Sequence, residues 1–325
     1  MPSPRRRPLP DFVIAGAPKA GSSALHAALA RHPQLFLSVV KEPKYFLCAD
    51  APPPLYTGPG DAHSRREWVW RLSDYEALFA DAPDTAVRGE STPFYLMDQN
   101  SHRRMRDLIP QARIIAVLRD PVDRAYSNWM HLWVDGLEPE WDIIKACEAE
   151  EARIAGGWAP FWRYRGLGRY GEQLESLYAS YPREQVMVIR YRELVDEPVR
   201  ILDEVCRFLG VATGILGSVP RDNTRPFVSN GPRRAVLSRV VRAGAGAGAF
   251  FSPQLWRRAS RPVLRAMHLG HSADRPELTA EQRRLILEPI LPDLERLESV
   301  TGQSFADWKY GSGKGSFASR ARQAV

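Results

Sequence analysis

Asp11-Phe-Val-Ile-Ala-Gly16 is a short apolar run closed by glycine. It is followed by the loop Ala17-Pro-Lys-Ala-Gly-Ser-Ser23 and then by Ala24–His32, which is alanine-rich with leucines at helical spacing and is ended by Pro33. A buried strand, a glycine-containing loop and a helix in immediate succession constrain the fold more than any other feature of the chain. Two later runs repeat the strand signal. Arg113-Ile-Ile-Ala-Val-Leu118 leads into Asp120-Pro121, an N-cap followed by proline at the first helical position, and a helix is expected from Val122 to about Trp133. Gln185–Arg190 lies between amphipathic stretches near Tyr170–Tyr181 and Glu197–Leu209, the second stopping at Gly210. Alternation of strand and helix predicts a parallel sheet with crossover helices. Thr279-Ala-Glu-Gln282 fits a capping box and predicts a helical C-terminal extension. The expected organisation is a flexible start over 1–10, one α/β domain over 11–310 and a flexible tail over 311–325.

At 325 residues and 44% hydrophobic the chain can bury a large core. Its net charge of +7 favours anionic partners: nucleotides, sulfated or phosphorylated substrates, acidic lipid surfaces or nucleic acid. Cys48, Cys147 and Cys206 are far apart and odd in number, so neither a disulfide framework nor a zinc site is expected. No apolar run approaches the ~20 residues of a membrane span, and no apolar stretch follows Arg5–Arg7 to make a signal peptide. These features together predict a cytoplasmic location.

The first loop is a candidate anion site. Backbone N–H groups at a helix start face a ligand there and the helix dipole favours negative charge. Gly16 and Gly21 admit a phosphate close to the backbone, Ser22 and Ser23 add hydroxyls, and Lys19 adds charge. A nucleotide-triphosphate loop has lysine directly after its second glycine. Here Ser22 takes that place and Lys19 lies inside the loop, and no aspartate for Mg²⁺ ends an apolar strand, which disfavours an ordinary kinase. A second anion site is expected where Arg119 ends a strand, with the following helix N-terminus and the Ser127 hydroxyl. An ion pair between Asp120 and Arg124, with Ser127 only packing, is the alternative there.

Lys19-Ala20-Gly21-Ser22-Ser23 resembles the 5′-phosphosulfate loop of sulfotransferases that use 3′-phosphoadenosine 5′-phosphosulfate (PAPS), and Arg119-Asp-Pro-Val-Asp-Arg-Ala-Tyr-Ser127 resembles their 3′-phosphate site. Lys41-Glu-Pro-Lys-Tyr-Phe46 and Glu90-Ser-Thr-Pro-Phe-Tyr95 are similar to elements of the heparan-sulfate branch. Leu167–Gly171 fits as well, and Thr279–Trp308 resembles the last helices of bacterial members. The resemblance, from about Phe12 to Trp308, implies a P-loop-like parallel sheet flanked by helices and PAPS as donor, with no metal. It implies that Lys19, Ala20, Gly21, Ser22 and Ser23 hold the phosphosulfate, that Arg119 and Ser127 hold the 3′-phosphate, that Tyr170 lies near the nucleotide and that Glu42 is the general base. It implies a glycan, glycolipid or small-molecule acceptor and no nucleic acid. Ser91 stands where that branch often has a substrate-contacting lysine, and Arg225–Arg234, with Gly231, is the candidate for a loop closing over the nucleotide. His131, one turn beyond Ser127, is the alternative base.

Two other readings remain at this stage: a Mg²⁺-dependent kinase, and a non-enzymatic polyanion or membrane binder using Arg233, Arg234, Arg239, Arg242, Arg257, Arg258, Arg261 and Arg265. The aromatic run Trp158–Tyr164 is read as either acceptor pocket or core.

Overall fold

The structure is a computed structural model that describes residues 7–220, 231–247 and 276–310. Residues 1–6 of the expected flexible start and all of the expected tail over 311–325 lie outside this range, as do most of the candidate closing loop and the basic stretch beyond Ala247.

Five strands form one parallel sheet, β1 (Phe12–Gly16), β2 (Leu35–Leu37), β3 (Val87–Ser91), β4 (Arg113–Leu118) and β5 (Val186–Arg190), in the order β2-β3-β1-β4-β5. The three strands expected from their apolar runs are there. The other two lacked that signal. β2 has three residues, and β3 reads Val-Arg-Gly-Glu-Ser yet is buried at Arg88, Gly89, Glu90 and Ser91. Its partners explain this. Gly89 leaves the space that the Phe12 ring fills, since a Cβ there would lie 2.1 Å from the ring. Arg88 donates from Nη1 to the carbonyl of Arg7 at 3.2 Å.

The principal helices are α1 (Ser22–Leu29), α2 (Gln99–Leu108), α3 (Pro121–Val134), α4 (Tyr170–Ser180), α5 (Pro198–Leu209), α6 (Pro232–Ala247), α7 (Ala280–Leu287), α8 (Leu291–Thr301) and α9 (Ala306–Tyr310). One core cluster joins α2, α4, α8 and α9 to one side of the sheet, while another joins α1 and α5 through Phe12, Ile14, Ile115 and Val117. The expected local signals hold. Asp120 caps α3, accepting from the N–H groups of Val122 and Asp123 at 2.8 and 3.0 Å. Gly210 ends α5 with φ of 74°, a left-handed cap that glycine adopts without strain. Thr279 and Gln282 make the reciprocal capping box of α7.

The C-terminal helices brace the frame of the site. Asp293 on α8 accepts from the N–H groups of Gly171 and Glu172 at 2.8 and 2.9 Å, so it caps the start of α4. Arg283 on α7 reaches Asp123 at 2.8 Å and Asp120 at 3.4 Å, which pins the start of α3.

Glu90 is fully buried on β3. It accepts from the Tyr75 hydroxyl at 3.0 Å and the Thr92 hydroxyl at 2.8 Å, and burial raises its pKa from the ordinary 4.5 to about 7. Between these values the folded protein keeps a proton that the unfolded chain has lost. Its contribution to stability is complete below 4.5 and falls by roughly 3 kcal/mol as pH rises through 7. His102 acts in the opposite sense. Burial lowers its pKa from 6.5 to about 4, so its contribution is complete above 6.5 and is lost as pH falls toward 4. Denaturant unfolding of the wild type and Glu90→Gln at pH 5 and pH 8 isolates the first effect. The variant is expected to gain relative stability at pH 8, and parallel behaviour at both values would contradict this assignment.

Candidate active site

Four strands deliver site residues at the carboxyl edge of the sheet, where open α/β folds place their ligands. β1 runs into the glycine loop, with Ala17 N donating to Val117 O at 2.7 Å across to β4. Lys19 and Gly21 both have left-handed backbone, with φ of 66° and 94°. Gly21 is the N-cap of α1 and no side chain caps that helix, so the N–H groups of its first turn face the loop without a side-chain partner. Ala20 and Ser22 are buried, Lys19 is half-buried and Ser23 is exposed. A glycine is required at position 21 for a second reason: a Cβ there would lie 2.6 Å from the Tyr191 ring.

Arg119 follows β4. Its Nη1 donates to the Lys19 carbonyl at 3.3 Å, and its guanidinium lies 5.0 Å from the centre of the Tyr191 ring. The two segments read separately from the sequence as candidate anion sites therefore meet, with Tyr191, just past β5, against both. Sequence reading missed Tyr191; its position directly after a strand was the available signal. Tyr170 is completely buried and its hydroxyl donates to the Arg119 carbonyl at 3.0 Å. It bears on the site by fixing Arg119. Ser127 is half-buried on α3.

Two expectations for this second site change. The N-terminus of α3 was expected to help hold an anion, but the Asp120 carboxylate already takes its N–H groups. Burial and the neighbouring Asp123 raise the Asp120 pKa to about 6. The alternative of an Asp120–Arg124 ion pair also does not form. Arg124 turns into the core, donating to Asn128 Oδ1 at 3.1 Å and to the Tyr164 carbonyl, while Asp120 faces Arg283. Of the groups expected at this second site, the Arg119 guanidinium and the half-buried Ser127 keep the placement the expectation needs.

Glu42 stands at the end of β3 on a loop tied at alternate residues. Glu42 N donates to Ser91 O at 3.0 Å, Lys44 N to the Thr92 hydroxyl at 3.3 Å and Phe46 N to the Tyr95 hydroxyl at 3.3 Å. These ties hold the left-handed backbone of Glu42 and Lys44, with φ of 61° and 63°. The Glu42 carboxylate lies 2.7 Å from Lys41 Nζ and 3.9 Å from Lys44 Nζ, and its side chain is 28% exposed, so it is held but reachable. Burial lowers the Lys44 pKa, against the pull of Glu42 and Glu67.

The sequence places His26 on the first helix and ranks it behind Glu42 and His131 as a base. It lies on α1, three residues after Ser23, and its Nδ1 is 2.8 Å from the Ser91 hydroxyl. Burial and then the charge of Lys41 lower its pKa to about 4, so the ring is neutral at neutral pH. His131, the alternative base, faces Asp135 at 3.7 Å and sets its ring edge-on to Phe161. In the aromatic run, Trp162 and Tyr164 are core, whereas Trp158 and Phe161 are half-buried.

Residues 10–214 match the family model described as Sulfotransferase family. The chain belongs to this family. A sulfotransferase structure from Alicyclobacillus acidocaldarius superposes with a TM-score of 0.69 at 27% identity, covering 92% of this chain and 98% of that one. The P-loop-like parallel sheet with a helical C-terminal region is thus a sulfotransferase fold. Among curated relatives, a mouse bifunctional heparan sulfate N-deacetylase/N-sulfotransferase 4 is 29% identical over 73% of this chain. The match spans only 25% of that relative's length. A human heparan sulfate glucosamine 3-O-sulfotransferase 6 is 25% identical over 93% of this chain and 75% of its own length. Among the described residues of the chain, no helix is long and apolar enough to cross a membrane.

Proposed function

We propose that this sulfotransferase moves a sulfuryl group from PAPS to a hydroxyl or amine of a glycan, glycolipid or small-molecule acceptor. The observation that carries the reading is the contact between Arg119 and the Lys19 carbonyl, which joins two motifs a hundred residues apart and supports reading them as one donor site. The loop amides with Lys19, Gly21, Ser22 and Ser23 hold the 5′-phosphosulfate, and Arg119 with Ser127 holds the 3′-phosphate. Tyr170 keeps Arg119 in place. The relatives' names, an N-sulfotransferase and a 3-O-sulfotransferase of heparan sulfate, support an amine or hydroxyl acceptor.

Sulfuryl transfer to such an acceptor is an in-line displacement at an anionic centre, promoted by positioning and by charge placed where charge develops. The acceptor oxygen or nitrogen forms a bond to sulfur as the bond from sulfur to the phosphate oxygen breaks. Glu42 takes the acceptor proton. Lys19 stabilises the charge gathering on the departing phosphate oxygen. The departing phosphate is a stable anion, so the proposed reaction needs no metal. We place it in the cytoplasm, in keeping with the three buried free thiols of Cys48, Cys147 and Cys206.

The test is transfer of labelled sulfate from PAPS to a mixed panel of hydroxyl and amine acceptors, with a chelator present. A labelled product formed alongside 3′-phosphoadenosine 5′-phosphate (PAP) is expected. Phosphorylation of acceptors from ATP, needing Mg²⁺, with no sulfated product, would replace this reading by a kinase.

A further inference from the structure

A strip of half-buried rings runs from the base toward α3. Lys44 Nζ is 3.9 Å from Glu42 and lies 5.3 Å from the Trp68 ring centre and 5.6 Å from that of Phe94. Phe94 meets Phe161 at 5.8 Å, and Phe161 meets His131 at 5.7 Å, both edge-on. Both ends are anchored to the site. Val69 N donates to Pro43 O at 2.9 Å, fixing Trp68 beside the Glu42 loop, and Asn128 on α3 donates to Phe161 O at 2.9 Å. His131 is four residues beyond Ser127 on the same helix, so the far end of the strip adjoins the donor side.

The rings come from three separate segments, which independent core packing would not need to align beside one carboxylate. Trp68, Phe94 and Phe161 each keep some exposed surface. The basic groups of the strip already face carboxylates: Lys44 faces Glu42, which Lys41 also meets, and feels Glu67, and the His131 ring faces Asp135. A polyanion gains little from matched charges, whereas a ring gains from aromatic edges and faces, about 0.5–1.5 kcal/mol per contact beyond area burial. Resting on the reading of Glu42 as proton acceptor, we propose that Trp68, Phe94 and Phe161 form the acceptor surface and select an uncharged, ring-bearing alcohol, a phenol being the simplest, over a polyanionic glycan. The acceptor ring lies on the strip with its hydroxyl toward Glu42. Its oxygen bonds to sulfur, its proton passes to the carboxylate, and the electron pair of the broken S–O bond leaves on PAP.

The experiment compares 2-naphthol with an N-sulfated heparan oligosaccharide, a polyanion with free hydroxyls, as acceptors for the full chain, and measures PAP affinity in parallel. Higher kcat/KM for 2-naphthol is expected. Phe94→Ala and Phe161→Ala should each raise its KM about tenfold, a contact's worth, with PAP affinity unchanged as proof of folding. Phe94→Leu, which keeps apolar bulk without the ring, should fall between. Preference for the oligosaccharide, drawn by cations such as Arg65 and Arg66 on the turn before Trp68, would overturn the proposal. So would an unchanged naphthol KM in both alanine variants. Either result with PAP still bound leaves the donor site standing; loss of PAP binding in the wild type would remove both.

Discussion

Replacing Glu42 by glutamine is expected to lower kcat by about 10²–10⁴, the usual contribution of a general base, while PAP binds as it does to the wild type. The separation of the two effects follows from position. Glu42 stands at the end of β3 and is held by Ser91, whereas the donor loop and Arg119 stand at the ends of β1 and β4. The loop that carries Glu42 keeps its three backbone ties in the variant, since none of them uses the carboxylate. Its ion pairs with Lys41 and Lys44 are partly exposed, and such pairs contribute about 0–1 kcal/mol, so the unfolding midpoint should hardly move. Full activity in the variant would remove Glu42 from the mechanism and turn attention to His26 and His131.

The second large effect concerns stability. Glu138 is fully buried and binds Arg153 through two hydrogen bonds, of 2.7 and 3.0 Å, and also accepts from the Tyr164 hydroxyl. Arg153 is itself only 7% exposed and lies over the rings of Trp158 and Trp162. Glu138→Ala leaves a buried guanidinium without its carboxylate, which is expected to cost about 3–5 kcal/mol. The double variant Glu138→Leu with Arg153→Met removes both charges and should recover most of that loss. Denaturant unfolding of the three proteins checks the pair. A single variant within about 1 kcal/mol of the wild type would mean that the pair is solvated on the folded protein. The effect reaches the site as well, because the Tyr164 carbonyl accepts from Arg124 in the same helix as Ser127.

How much of this was legible in the sequence depended on whether a signal was local. The glycine loop, the Asp120–Pro121 helix start, the Gly210 stop and the Thr279 capping box are set by neighbours in the chain, and each formed as expected. β3 was hidden because what buries Arg88 and Glu90 comes from afar: Arg7, Tyr75 and the Phe12 ring over Gly89. The alternative of an Asp120–Arg124 pair fails for a similar reason. The inward partner of Arg124, the Tyr164 carbonyl, is forty residues on, while Asp120 has a competing arginine in α7. Lys19 to Ser23 and Arg119 carry local motifs, and the structure brings them together at one edge of the sheet. Phe94 and Phe161 lie in segments already marked in the sequence, and the sequence places His26 on the first helix, but Tyr191, Trp68 and the contacts that join these residues were not legible. Their roles arise only where several segments meet.

The central claim is that the glycine loop and Arg119 make one donor site. Calorimetric titration with PAP in the absence of Mg²⁺, beside Arg119→Ala and beside ATP, tests it most directly. Micromolar binding of PAP that Arg119→Ala abolishes and ATP does not match is the predicted result. No PAP binding, or tighter binding of ATP with Mg²⁺, would contradict it.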